Sequence, residues 1–346
     1  MKKKKTALCN SNRSRKTRRH FSKKVSYGKR AAVLSNSSMY TFKEVLFLWQ
    51  EHNKLSHKGA TEAKYNYLIQ KHIIPELGDI VMEDLTIALL NNFIEEKIAS
   101  GRLDKKGGLS TSYVRTMSII INSALKFAVD ENLCSSLKLI PYSPKQEKKD
   151  ITVLKQPMLN KLEQYLSENM HLTSLGILLS LYMGLRIGEV CALRWQDIDL
   201  DELVLRIRAT VTRVKSSETL TKTIEIIGNP KTASAIRDIP IPSNLIPWLK
   251  KLKSQEDHFV LSDSSSFISP RTYEYRFHKI LAQAEISDTN YHVLRHTFAT
   301  RCIECGVDIK TLSEFLGHSD VGITLRTYVH PSMELKRTQI EKLAKE

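Results

Sequence analysis

Four short stretches in the second half of the chain carry side chains able to act on an anionic centre: GLRIGE at 184–189, NPKTASAIR at 229–237, HVLRHTFAT at 292–300 and LGHSDVGITLRTY at 316–328. The guanidiniums of Arg186 and Arg295 are permanently charged, and each can donate two parallel hydrogen bonds to a pair of oxygens. Attack on a phosphodiester gathers extra negative charge on the non-bridging oxygens, so two such groups would stabilise a pentacoordinate transition state. His318 is a third donor for the same oxygens, and His292 either manages the nucleophile's proton or completes the clamp. A spacing of three puts His292 and Arg295 on one helix face, and Glu189 can orient Arg186. Tyr328 offers a phenol oxygen as nucleophile. With an ordinary pKa of about 10 it is protonated at neutral pH, so nearby positive charge is expected to lower that value while holding the phosphate within reach. His296, four residues after His292, makes a helical metal pair conceivable, but no third ligand with a carboxylate base in an HExxH arrangement accompanies it. Neither a metal nor another cofactor is expected, and no GxxxxGK[ST] phosphate loop is present.

The chain order Arg186, Lys231, His292-x-x-Arg295, His318, Tyr328 resembles the tyrosine recombinase and phage integrase family, in particular the integrases of prophages and integrative conjugative elements. The resemblance spans about residues 41–346 and is strongest over 184–331. It implies a mainly α protein with a small antiparallel β-sheet, in which a helical SAM-like core-binding domain and a mixed α/β catalytic domain close as a clamp around double-stranded DNA. It implies site-specific recombination by transesterification, in which Tyr328 displaces a 5′ hydroxyl and stores the bond as a 3′ phosphotyrosine. It further implies a lysine between two sheet strands that protonates the leaving oxygen. Lys231 matches that position, with Lys222 and Lys215 as rivals in the same hairpin region. Arg115, Lys126, Arg194, Arg271 and Arg276 are candidate DNA contacts, mostly to phosphates, which confer salt-dependent affinity rather than sequence choice. Relatives of this kind imply a monomer in free solution, a homo-tetramer on paired sites, and accessory excision or DNA-bending proteins. A non-catalytic DNA-binding regulator with a recombinase-like shell and a type IB topoisomerase are the competing readings.

The elements that must position these groups fall into two domains. Residues 1–39 read as a basic arm without apolar periodicity. A helical domain follows over 40–140. TFKE at 41–44 is a capping box that starts a helix, and further helices are predicted over 61–74, 86–99 and 110–129. The last shows Val114, Met117, Ile121, Ala124, Leu125 and Ala128 at helical spacing. PYSPKQEKKD at 141–150 is a linker, and a catalytic domain over 151–331 opens with helices, Pro157 fitting a first turn. An apolar run, ILLSLYM at 177–183, ends at Gly184. Alternation over 203–213, 221–227 and 236–241 predicts three strands of one antiparallel sheet. The pattern is helical again from Pro270. Residues 332–346 form an amphipathic tail that either packs in cis or is exchanged between protomers.

Composition agrees with these elements. At 346 residues the chain is long enough for two cores. Of the formal net charge of +16, all but three units sit in residues 1–30, which hold 13 Lys or Arg and no Asp or Glu. That arm would attract a polyanion such as nucleic acid, and it reads equally as a solubilising or targeting tail. No membrane-spanning run and no secretory signal are present, which points to the cytoplasm. Five scattered cysteines indicate reduced thiols, and the single CxxC of Cys302 and Cys305 lacks a second pair for zinc.

Overall fold

The computed structural model describes residues 40–53, 59–134, 144, 151–215, 223–230 and 232–329, with positions 333, 337, 340 and 341 of the tail. The basic arm, most of the linker, Lys222, Lys231 and most of the C-terminal tail lie outside the described residues. The described residues divide into two compact units, one drawn from Met1–His52 and Gln70–Ser143, the other from Asn53–Ile69 and Pro144–Glu346. None of the described helices is long and apolar enough to cross a membrane.

In the first unit, α1 (Phe42–Asn53) starts at the capping box. The Thr41 amide donates to Glu44 Oε2 at 2.9 Å, and the Glu44 amide donates to Thr41 Oγ1 at 3.4 Å. The helix predicted over 61–74 is broken into α2 (Gly59–Leu68), which belongs to the second unit, a π turn (Ile69–Ile73) and α3 (Ile74–Leu77). Pro75 accounts for the break, because it lacks an N–H and its ring clashes with the carbonyl four residues back, so the helical ladder shifts register there. Thr86 caps α4 (Ile87–Ser100), its hydroxyl accepting from the Leu89 amide at 3.3 Å. α5 (Thr111–Asp130) buries all six residues of the predicted apolar stripe. Trp49 of α1 donates its indole N–H to Ser123 of α5 at 3.0 Å.

The second unit is built around α7 (Leu172–Met183), which is buried on nearly every side and therefore reads as a continuous apolar run rather than an amphipathic one. α6 (Gln156–Glu168), α9 (Ile246–Leu252), α10 (Pro270–Gln283) and α11 (His292–Glu304) pack around it. Two buried phenols pin these helices together. Tyr273 of α10 donates to the Thr173 carbonyl at 3.0 Å, and the Tyr291 hydroxyl meets Ser180 Oγ at 2.7 Å. Because Tyr291 immediately precedes α11, that second contact fixes where the HVLRH segment begins.

The strand region departs from expectation. The alternating stretch at 203–213 is two strands, β2 (Val204–Ile207) and β3 (Thr210–Lys215), and they belong to different sheets. β2 pairs antiparallel with β1 (Ile198–Asp199) and β5 (Arg237–Pro240), whereas among the described residues β3 pairs with β4 (Thr223–Gly228) alone, Val211 opposite Ile227. Arg208 sits at the break and ties it down, donating to the carbonyls of Ile207 and Arg237 at 3.2 and 3.1 Å and bonding to Asp238. Ile224, Ile226 and Ile227 of β4 remain exposed.

Leu179 is fully buried at the centre of α7. Leu179→Ala is expected to destabilise the protein by about 2–5 kcal/mol through lost transfer energy and the cavity left behind, read as a lower urea midpoint with an unchanged denaturant slope.

Candidate active site

The candidate site begins where α7 ends. Gly184 adopts φ +68°, and a Cβ there would sit 2.5 Å from Phe298 Cδ1. Glycine is therefore required both for the left-handed stop and for the close approach of α11. The chain turns through Leu185 into Arg186, the residue that caps α8 (Ile187–Ala192). Glu189 reaches back to the Arg186 amide at 2.9 Å and to its guanidinium at 2.8 Å. The same carboxylate receives both terminal nitrogens of Arg237, at 3.0 and 2.9 Å, and Arg237 Nε donates to the Phe315 carbonyl at 2.6 Å. Glu189 and Arg237 are buried. Burial opposes the Glu189 charge, but the hydrogen bonds and charge of Arg237, with Arg186 added, prevail and hold its pKa down at about 2.

Arg295 is buried one turn into α11. It donates to the Gly184 carbonyl at 2.7 Å, to the Leu316 carbonyl at 2.6 Å and to His318 Nε2 at 3.0 Å. Leu316 ends α12 (Ile309–Leu316) and is followed by the left-handed Gly317, φ +62°, so Arg295 grips the C-terminal carbonyls of two helices. Burial, then the charge of Arg186, lowers its guanidinium to about 9, which leaves it charged at neutral pH. An arginine can only donate, so His318 accepts at Nε2 and carries its proton on Nδ1, which lies 2.8 Å from the buried Thr324 hydroxyl. Burial followed by Arg295, Arg186 and Arg237 pushes His318 down to about 4.

Arg186, Glu189, His292 and His318 line one cleft of about 520 Å³ together with Thr210, Thr212, Pro230 and Thr232. Lys231 lies outside the described residues, but both of its chain neighbours, Pro230 and Thr232, form part of this wall. His292 is exposed, and its pKa is pushed down to about 4 by the protein surface against its ring and then by His296, Arg295 and Arg186.

Tyr328 is the last residue of α13 (Val321–Tyr328) and is buried. Its hydroxyl is not on His292 but 2.8 Å from Nδ1 of His296. The expectation of a lowered phenol pKa is corrected: burial raises it above the ordinary value, and the opposing charges of Arg295 and Arg186 do not overcome that. His296 and Arg237 are the two residues of this network to which the sequence reading gave no part in the chemistry. His296 was visible as the i+4 partner of His292 and was weighed only for metal binding. Arg237 stood at the end of a quoted motif with nothing to mark its buried bond to Glu189.

The DNA-contact candidates are dispersed. Arg115 and Lys126 are exposed on α5, and Arg271 and Arg276 are exposed on α10. Arg194 is engaged in the fold, with its guanidinium 4.1 Å from the Phe259 ring centroid and a hydrogen bond to the Asp257 carbonyl. Among the described residues no cluster of His, Cys, Asp and Glu could hold a metal ion.

Comparisons with known proteins converge on this region. Residues 152–334 match the Phage integrase family, and residues 41–98 match the Phage integrase, N-terminal SAM-like domain. A tyrosine recombinase XerC-like protein of Caldanaerobacter subterraneus subsp. tengcongensis is 28% identical over 318 residues, 84% of this chain and 79% of that protein. A putative prophage phiRv2 integrase of Mycobacterium tuberculosis is 26% identical over 287 residues, 79% of this chain and 70% of that protein. Among solved structures, the Tn1549 transposon integrase in complex with transposon right end DNA has the same fold, with a TM-score of 0.71 at 18% identity, covering 88% of this chain and 100% of that one. A lambda integrase tetramer bound to a Holliday junction gives a TM-score of 0.58 at 18% identity, covering 87% and 80%.

The Glu189 pKa is lowered from 4.5 to about 2 on folding. Its contribution is therefore fully present above the unfolded value and is lost as pH falls through the folded one, and it corresponds to about 3 kcal/mol. Glu189→Gln is expected to lower stability at pH 7 by about that amount and to flatten the loss of stability between roughly pH 5 and 2, measured by urea unfolding across that range.

Proposed function

The chain belongs to the phage integrase family, and from that premise we propose that Tyr328, Arg186, Arg295, His292, His318 and Lys231 are the working groups of a tyrosine site-specific recombinase. The enzyme breaks and rejoins DNA strands by transesterification, and the setting that fits its relatives is integration or excision of a mobile element. One observation carries the assignment: Arg186, His292 and His318 line a single cleft, Arg295 bonds to His318, and the Tyr328 hydroxyl bonds to His296, the residue next to Arg295 on α11.

In this reading a scissile phosphate enters the cleft and accepts from Arg186, which Glu189 and Arg237 hold in place. Arg295 spends three N–H groups on Gly184, Leu316 and His318, which leaves two of its five for the anion. His318 donates from Nε2 only once that nitrogen is released from Arg295 and carries a proton, by a tautomer switch or by gaining a second proton. An arriving anion favours that protonation because it opposes the surrounding cations that keep the ring neutral. His292 completes the clamp. The Tyr328 oxygen then bonds to phosphorus, the 5′ oxygen departs with a proton from Lys231, and a second strand's 5′ hydroxyl reverses the step. No hydrolysis occurs, so the bond energy is retained.

Double-stranded DNA is the partner, as in the integrase complexes that share the fold. We place Arg115, Lys126, Arg271 and Arg276 on its phosphates, the helical domain at residues 40–140, the linker at 141–150 and the catalytic domain at 151–331. The tail over 332–346 would serve assembly of a tetramer on paired sites from monomers in free solution. Accessory excision or DNA-bending proteins and action in the cytoplasm complete the proposal.

A nicked suicide duplex taken from the DNA flanking the gene is expected to trap the protein covalently. Tyr328→Phe should reduce trapping to background while retaining DNA binding in a mobility-shift assay. Trapping by the Phe variant would refute the nucleophile assignment, and relaxation of supercoiled DNA without site-dependent products would indicate a topoisomerase.

A further inference from the structure

The sequence offers His292 as one group that could manage the nucleophile's proton, yet the phenol hydroxyl is bonded to another residue. His296 Nδ1 lies 2.8 Å from Tyr328 Oη, with ring centroids 5.6 Å apart. His292, one turn earlier, stands perpendicular to His296 at a centroid distance of 4.5 Å and faces the cleft instead. The two rings therefore have separate neighbours, His292 the space where an anion would sit and His296 the buried oxygen behind it.

The direction of the Tyr328–His296 hydrogen bond follows from the surroundings. Tyr328 is buried and keeps its proton, and in the tautomer with the His296 proton on Nε2 the phenol Oη donates and Nδ1 accepts across 2.8 Å. His296 is half-buried, and burial, then the charge of Arg295 beside it, keeps its imidazole neutral. Arg295 and His292 face it from its own helix and Tyr328 faces it from α13. Arg186, which caps α8, also acts on the Tyr328 phenol. A neutral imidazole with an open nitrogen at hydrogen-bonding distance from a reacting hydroxyl meets the geometric requirement for a general base.

We propose that His296 is the catalytic base that removes the Tyr328 proton during strand cleavage, an assignment that rests on Tyr328 being the nucleophile. As Oη forms its bond to phosphorus and the bond to the 5′ oxygen breaks, the phenol proton passes to His296 Nδ1. The 5′ oxygen leaves with the electron pair of the broken bond and takes its proton from the separate acid proposed as Lys231. On rejoining, the imidazolium returns its proton to the phenol, which restores the starting state.

The test is single-turnover formation of the covalent complex on the nicked duplex by the full-length protein. His296→Asn keeps an acceptor oxygen near the position of Nδ1 but cannot take the proton. It is expected to slow cleavage by about 10²-fold or more at neutral pH, with DNA binding and thermal melting unchanged. Its rate should then climb about tenfold per pH unit through the neutral and alkaline range, following the phenolate fraction, while the wild-type rate stays level above its acid limb. Imidazole added to His296→Gly should restore part of the rate. A substrate with a 5′-bridging sulfur, whose thiolate leaves without a proton, should rescue a defect in the leaving-group acid but not the loss at His296. Cleavage by His296→Asn at the wild-type rate would show that the contact only holds the phenol. A loss indifferent to both pH and imidazole would show a structural role and equally overturn the assignment. Failure of the wild-type protein to trap at all would instead sink the reading of Tyr328 as nucleophile.

Discussion

The site depends on a single buried carboxylate. Glu189 is shared by two arginines, one reaching it from β5 and one from the turn that opens α8. A carboxylate taken out of water is costly unless its lone pairs are met, and here both oxygens of Glu189 are occupied from two sides. The arrangement couples the sheet to the helical core, because Arg237 also holds the end of α12 through the Phe315 carbonyl. Arg186 thus reaches the cleft already oriented, with its position set by groups that never need to touch a substrate.

Much of this was legible in the residues. The Thr41 and Glu44 capping box and the stripe on α5 are local patterns governed by the nearest few residues, and the helices begin and face as those patterns require. The apolar run at 177–183 was read as ending at Gly184, and the helix does stop there, in a left-handed glycine. Arg186, His292 and His318 were found together on one cleft wall because motif order encodes a shared destination.

The parts that were not legible depend on distant partners. Alternation over 203–213 reads as one strand, since period two says nothing about which neighbour each half will choose. The division at Arg208 becomes visible only with Asp238 and the Arg237 carbonyl beside it. The π turn required recognising that Pro75 acts upstream, on the turn before it. The direction of the Tyr328 shift was misjudged because positive charge was counted and burial was not. His296 escaped attention for a similar reason: its bond spans 32 positions of sequence, and no spacing rule reaches that far.

Through the grip of Arg295 on Gly184 and Leu316 the fold supplies acceptors of its own to a guanidinium suited to an anion. The carbonyl ends of two helices carry partial negative charge, and together with a histidine lone pair they saturate part of the fork that would otherwise wait in isolation. An anion reaching the two N–H groups that remain replaces water as their acceptor, and such exchanges yield little net free energy. Stabilisation grows as the reacting centre becomes more anionic than the water it displaced. An enzyme whose forward and reverse steps are alike is well served by this, because neither the entering nor the departing strand is held tightly enough to stall the cycle.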